Sequence, residues 1–176
     1  MSLLEAALRG GVVALLLVVV ALALRDARRV PTARYGAAFA ICAIAYLIES
    51  APAFAREHTL WVGAIRLLSI STPAVYWVWV KAQIDDPFVP SWRHWLPWCG
   101  MIAVGAAAVV TDRWLAWRAL QCASLLLVGL GIWRTLAGRP GDLVEGRRRL
   151  RLVLAVGSAL YIAAIEFVGF CWSMQT

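Results

Sequence analysis

The sequence predicts an all-α fold of the membrane class, a polytopic bundle of six transmembrane helices with both chain ends on the outer side. Three observations carry that expectation. Of the 176 residues, 62% are hydrophobic and only 15% charged, too little polar surface to cover a soluble core of this size. The apolar residues gather into runs of roughly the 20 residues that a spanning helix needs. The basic residues fall in the connections between those runs, where membrane topology requires them.

Two other classes are excluded on the same grounds. The formal charge of +7 would suit nucleic acid only if Lys and Arg gathered on one folded face, so no direct nucleic-acid binding by this chain is expected. Strands of a membrane barrel alternate apolar and polar residues, whereas these runs are apolar on every face. A single integral membrane helical domain, residues 1–176, is the expected organisation.

The first helix is expected over 3–24. Ala21-Leu22-Ala23 has the look of a signal-peptide cleavage site, yet Glu5 offsets Arg9 and the basic cluster Arg25, Arg28 and Arg29 follows the run. A signal peptide has its positive region in front, so an uncleaved helix with its N-terminus outside is predicted. The second helix, 35–51, is closed by Pro52. The third, 60–80, contains Pro73, which has no N–H for the Ser69 carbonyl, so a kink is predicted there. The hydroxyls of Ser69, Ser71 and Thr72 stand ready to satisfy the freed carbonyl, and the kink serves either packing or a hinge.

The fourth helix, 95–110, carries Gly100, Gly105 and the alanines at 106–108. Small residues let helices approach closely, within one copy or across a homo-oligomer. The fifth is expected over 114–133. The sixth, 143–170, starts from Asp142-Leu143-Val144-Glu145, which reads as a capping box. Glu145 and Arg149 stand four apart, a favourable pairing. This helix is expected to project about two turns into the cytoplasm before entering lipid. Its collar of Arg147, Arg148, Arg149 and Arg151 then lies against anionic lipid headgroups at the cytoplasmic face.

Orientation follows from the loops. Loop one carries Arg25, Arg28, Arg29 and Arg34, loop three Lys81 and Arg93, and loop five Arg134, Arg139 and the collar. The other side holds Arg9, Arg56 and Arg113. Odd-numbered loops are therefore cytoplasmic. Tryptophans give the same map: Trp61, Trp114, Trp117 and Trp172 fall at outer helix ends, and Trp77, Trp79, Trp92, Trp95, Trp98 and Trp133 at inner ones. Indoles favour that interfacial level.

Charged groups inside an apolar zone are costly and invite a functional hypothesis. Here they are Glu49, Arg66, Arg118 and Glu166, with Gln121 near Arg118. At about 1.5 Å per residue, Arg66 lies roughly 9 Å below the outer end of its helix. Two acids and two bases thus share one layer of the outer leaflet. They either pair to neutralise one another or snorkel outward, or else line a polar pocket open to the periplasm for a small signal or ion.

Other groups carry less. Cys42, Cys99, Cys122 and Cys171 stand singly, without a C-x-x-C pair, and read as small apolar residues. His58 and His94 fall at opposite membrane faces, which disfavours a paired metal or haem site. Asp85-Asp86-Pro87 has no further oxygen ligands nearby for a hard cation. No Ser/His/Asp set, H-E-x-x-H, G-x-S-x-G or phosphate-binding Gly loop occurs. No catalytic residue, metal, cofactor or enzyme activity is expected.

Several strings together resemble a known arrangement. Leu8-Arg9-Gly10-Gly11 leads into a run ending Leu24-Arg25-Asp26, and Pro73 and Trp77 precede Asp85-Asp86-Pro87-Phe88 and Trp92-Arg93-His94-Trp95. The most specific string is Asp142-Leu143-Val144-Glu145-Gly146-Arg147-Arg148-Arg149-Leu150-Arg151. Over nearly the whole chain these resemble the N-terminal membrane domain of bacterial AraC-type transcription regulators. The resemblance implies a sensor module of the bacterial inner membrane, answering an unidentified small-molecule or lipid signal. In that family a cytoplasmic helix-turn-helix module follows, and this sequence contains none. The family pattern also implies a seventh helix, so the expectation is a shortened form that lacks its last helix. The competing readings are a small oligomeric channel or transporter, which needs a polar stripe through the whole bilayer, and a scaffold subunit of a membrane complex.

Overall fold

The computed structural model describes residues 3–51, 54, 59–84, 88–89, 91–111, 114–137, 156–157, 160 and 162. All regular structure among them is helical: α1 (Leu3–Asp26), α2 (Ala33–Glu49), α3 (Leu60–Ile70), α4 (Thr72–Ile84), α5 (Trp92–Thr111) and α6 (Trp114–Ala137). The tally of six coincides with the sequence-based one, but the members differ. The expected third helix is two helices, α3 and α4. The expected sixth, 143–170, lies outside the described residues except for Val156, Gly157, Leu160 and Ile162, which are helical. The fourth expected helix begins earlier, at Trp92, so that Pro97 falls inside α5.

The division between α3 and α4 has a local cause. Ser71 turns its hydroxyl back onto the Leu67 carbonyl at 2.7 Å, while its own N–H is shared between the carbonyls of Leu67 and Leu68 at 3.2 Å each. Hydroxyls that bond back in this way bend helices. Two residues on, Pro73 occupies the first turn of α4, the one place where its missing N–H costs nothing. The chain thus restarts a helix at the proline.

Two compact units are present, Met1–Val75 and Tyr76–Thr176. In the first, α1 packs on α2 and α2 on α3. On α1 only Arg9, Val13, Leu16, Val20 and Ala23 are half-covered within the helix. Their spacing alternates four and three, the narrow seam of a coiled coil. Everything else described on this helix is exposed, including Leu8, Leu15 and Val18. Opposite it, α2 buries Tyr35, Ala37, Ala40, Cys42 and Ala45, mostly small side chains that admit a close neighbour.

In the second unit α5 packs on α6. Met101, Gly105 and Ala108 form the buried stripe of α5, and Leu120, Ser124, Leu127, Val128 and Gly131 that of α6. Both stripes follow three- and four-residue steps. On α4, burial recurs at Tyr76, Val78, Val80 and Ala82. Steps of two residues rotate by about 200° along a helix, so α4 is covered on opposing sides. Tyr76 is 0% exposed, and its ring lies directly over Gly131 of α6.

Beside a buried core that includes Tyr76, Met101, Leu120, Leu127 and Val128, many large apolar side chains are exposed. Large apolar side chains face outward: Leu4, Leu15, Leu60, Leu115, Leu126 and Leu136 are all exposed. Small and hydroxyl side chains face inward: Ala37, Ala74, Ala108, Ser69, Ser71, Thr72 and Ser124 are all buried. Water penalises that arrangement at about 25 cal/mol for each Å² of apolar surface, whereas hydrocarbon solvates it and small residues supply the helix contacts. Two helices, Ala6–Asp26 within α1 and Trp114–Ala137, are long and apolar enough to cross a membrane by length and composition. On α6 the exposed indoles of Trp114 and Trp133 stand about 29 Å apart along the axis, close to the hydrocarbon thickness of roughly 30 Å.

The packing of Tyr76 on α6 yields a sharp test. A Cβ added at Gly131 would lie 2.6 Å from Tyr76 Cε1, whereas one added at Gly129 would meet nothing within 4 Å. Gly131→Ala should destabilise the protein by about 1–3 kcal/mol through overpacking. Gly129→Ala should leave it unchanged or slightly more stable. Unfolding of the two variants in detergent micelles measures the difference.

Candidate functional site

The polar groups of the first unit converge where α1 begins, α2 ends and α3 passes. Because α1 and α2 run antiparallel, the seam that holds Val13 and Leu16 against α2 carries Arg9 to the last turn of α2. There the Arg9 guanidinium donates to the Leu47 carbonyl at 3.1 Å and to Ser50 Oγ at 2.7 Å. The Ser50 hydroxyl itself donates to the Leu47 carbonyl at 3.1 Å. A straight continuation of α2 would give that carbonyl the N–H of Ala51, but the Ala51 N–H bonds Ile48 instead. Arg9 and Ser50 therefore cap a carbonyl that the turning chain released. A cation at a helix C-terminus is also favoured by the helix dipole.

One residue before Ser50, Glu49 accepts from Arg66 Nε at 3.1 Å. Their side chains are 26% and 23% exposed respectively, so the pair is mostly withdrawn from solvent and stronger than an open surface bridge. Glu49 and Arg66 are thus brought together, as the pairing reading expects. Arg66 lies five residues before Ser71, where α3 gives way to α4. Beside that break, Ser69, Ser71 and Thr72 are buried, as is Pro73. Thr72 Oγ1 is fully enclosed and has no hydrogen-bond partner among the described residues.

The remaining expected members belong to the second unit or lie outside the described residues. Arg118 is half-buried on α6 with its guanidinium 5.7 Å from the Trp114 ring centroid, and Gln121 is half-buried on the next turn. Both belong to the second unit. Glu166 lies outside the described residues, as do Asp142, Glu145, Arg147, Arg148, Arg149 and Arg151. Sequence reasoning missed Arg9 as part of the cluster because it was counted only as an outer-side charge. The signal was present: Arg9 keeps the same seven-residue register as Leu16 and Ala23 on α1.

No protein-family model, no curated protein and no solved structure matches this chain.

Two outcomes follow from the geometry. In a double-mutant cycle, Glu49→Gln and Arg66→Gln should show a coupling of roughly 1–3 kcal/mol, read from thermal unfolding in micelles. Additive losses would mean that the pair contributes no interaction of its own. Thr72→Val should raise stability by about 1 kcal/mol, because it removes an enclosed hydroxyl that bonds nothing.

Proposed function

We propose that this chain is a multi-pass helical module of the bacterial inner membrane that senses an outer-side or lipid-borne signal. Its topology in this reading places the start of α1, the end of α2 and the start of α6 outside, and the end of α4 and of α6 inside. The observation that carries the membrane part is that Ala6–Asp26 and Trp114–Ala137 are long and apolar enough to span a membrane and expose large apolar side chains along their length. The resemblance to the input domain of AraC-type regulators supplies the signalling part.

The Glu49–Arg66 pair is the input in this reading. An anionic or cationic signal that competes for one partner releases the other, and the free energy of the broken bond is delivered to α3. The break at Ser71 lets α3 tilt without dragging α4 rigidly with it, so the motion is gated at a defined point. Output then passes through the cytoplasmic connections, those flanking Lys81 and the collar from Arg147 to Arg151. Coupling of this kind needs a signal that binds the paired and unpaired states with different affinity.

Buried hydroxyls beside a discontinuous helix also favour a transporter, since such sites bind ions and small solutes. Ion or solute flux through proteoliposomes decides between the two, the sensor reading predicting none. The direct test of the sensor reading is transcript profiling of source cells that carry wild-type, Glu49→Gln or Arg66→Gln chains. The expected result is a restricted set of transcripts altered alike in both variants at unchanged protein level. An unaltered profile in cells lacking the gene altogether would sink it.

A further inference from the structure

We infer that Lys81 and His94 form a proton-released latch between α4 and α5, closed while the His94 ring is neutral and opened when the ring takes a second proton. Lys81 lies in the last turn of α4 and His94 in the first turn of α5. Lys81 Nζ stands 2.9 Å from His94 Nε2, a hydrogen bond that joins the two helices. The other ring nitrogen meets the start of α5. The Ser91 N–H donates to Nδ1 at 3.0 Å, and the Ser91 hydroxyl lies 3.3 Å from the same atom. One imidazole thus holds the end of one helix and the beginning of the next.

Proton count decides whether it can hold both. A neutral imidazole has one N–H and one lone pair, whereas an imidazolium has two N–H groups and no lone pair. A backbone N–H only donates, and an ammonium likewise has no acceptor. Either tautomer of the neutral ring keeps a lone pair for one of these donors. Its single N–H then meets the Ser91 hydroxyl at Nδ1 or an uncharged amine at Nε2. The doubly protonated ring keeps no lone pair. Its Nδ1–H faces the Ser91 N–H, its Nε2–H faces the lysine, and two positive charges stand 2.9 Å apart. A single proton therefore contests both contacts at once.

The surroundings leave that conflict unrelieved. Lys81 Nζ lies 5.8 Å from the Trp77 ring centroid, and an indole face favours the ammonium over the neutral amine. The Phe88 ring, 5.2 Å from that of His94, covers the imidazole without offering a lone pair of its own. Among the described residues the other charged groups on these helices are cations. Arg93 adjoins His94 on α5, and Arg134 lies in the last turn of α6, which packs on α5. The described carboxylates of Asp26 and Glu49 both belong to the first unit, and Asp85 and Asp86 lie outside the described residues. Imidazoles change charge between about pH 5 and 8, so the latch is closed at the upper end of that range and open at the lower. That the proton arrives from the cytoplasm rests on the membrane reading above; the latch itself does not.

The test is amide hydrogen exchange of the full chain in detergent micelles, read over residues 88–96 and corrected for the intrinsic rate. Wild type should lose about tenfold in protection between about pH 8 and about pH 5. His94→Gln, whose amide oxygen accepts a hydrogen bond without titrating, should show the same protection at both. Lys81→Glu should reverse the response, because a carboxylate binds the imidazolium and protection then rises in acid. His58→Gln, which removes the other histidine of the chain, should behave as wild type. Constant protection in wild type, a wild-type response in His94→Gln, or a loss in acid for Lys81→Glu overturns the latch. Should His94→Gln fail to fold, the sign of the Lys81→Glu response decides. Failure of the membrane reading is seen separately, as release of the chain from membranes by alkaline extraction, and leaves the exchange result standing.

Discussion

A leucine-coated helix that touches one described neighbour along a narrow seam leaves most of its apolar surface uncovered. By length and composition such a helix could cross a membrane. If the surroundings are hydrocarbon, burying leucine against leucine brings no hydrophobic gain, and helices associate through shape and hydrogen bonds instead. The buried stripes obey this: Ala37 and Ala40 on α2, Gly105 and Ala108 on α5, and Gly131 on α6 are all places where a backbone can come close. Polar side chains in such surroundings must find one another or reach a helix end. Arg9, Ser50, Glu49 and Arg66 do so in two adjoining contacts.

The stabilising role of that cluster and the sensing role proposed for it are not in competition. A capped carbonyl and an ion pair hold three helices in register, and both are bonds between charged or polar groups that a charged molecule can contest. Each contact also sits at a helix end, where a change of partner alters the direction of a helix more than its length. Packing of the Tyr76 ring on Gly131, in the second unit, reads as scaffold.

Much of this was legible in the sequence, and the reasons for the rest are physical. All-helical structure followed from runs apolar on every face, and the described helices α1, α2, α5 and α6 fall close to their expected ranges. Pro73 marked a kink within 60–80, but hydropathy could not turn it into a division between α3 and α4, which also depends on the Ser71 hydroxyl bonding the Leu67 carbonyl. Glu49 and Arg66 stood out as charges in apolar runs, but which charge meets which depends on helix phase. Arg9 was overlooked for the opposite reason, since near a chain start a charge looks ordinary. Its role appears only when the register of Val13, Leu16 and Val20 is followed upward. His94 likewise reads as an interfacial histidine, whereas in the structure its Nδ1 stands against the Ser91 N–H at the start of α5.

The contact between Gly131 and Tyr76 has a consequence for how such a chain can vary over time. With the ring in place, every side chain at 131 begins with a Cβ where an aromatic carbon already stands. With the ring replaced by a smaller group, a glycine at 131 leaves an empty slot that alanine or serine would fill to advantage. Neither position is free to drift by itself, and the two are expected to change as a pair, in either order only through an intermediate less stable than both endpoints. Among descendants of this sequence, joint substitution at 76 and 131 would be the trace that this helix crossing leaves behind.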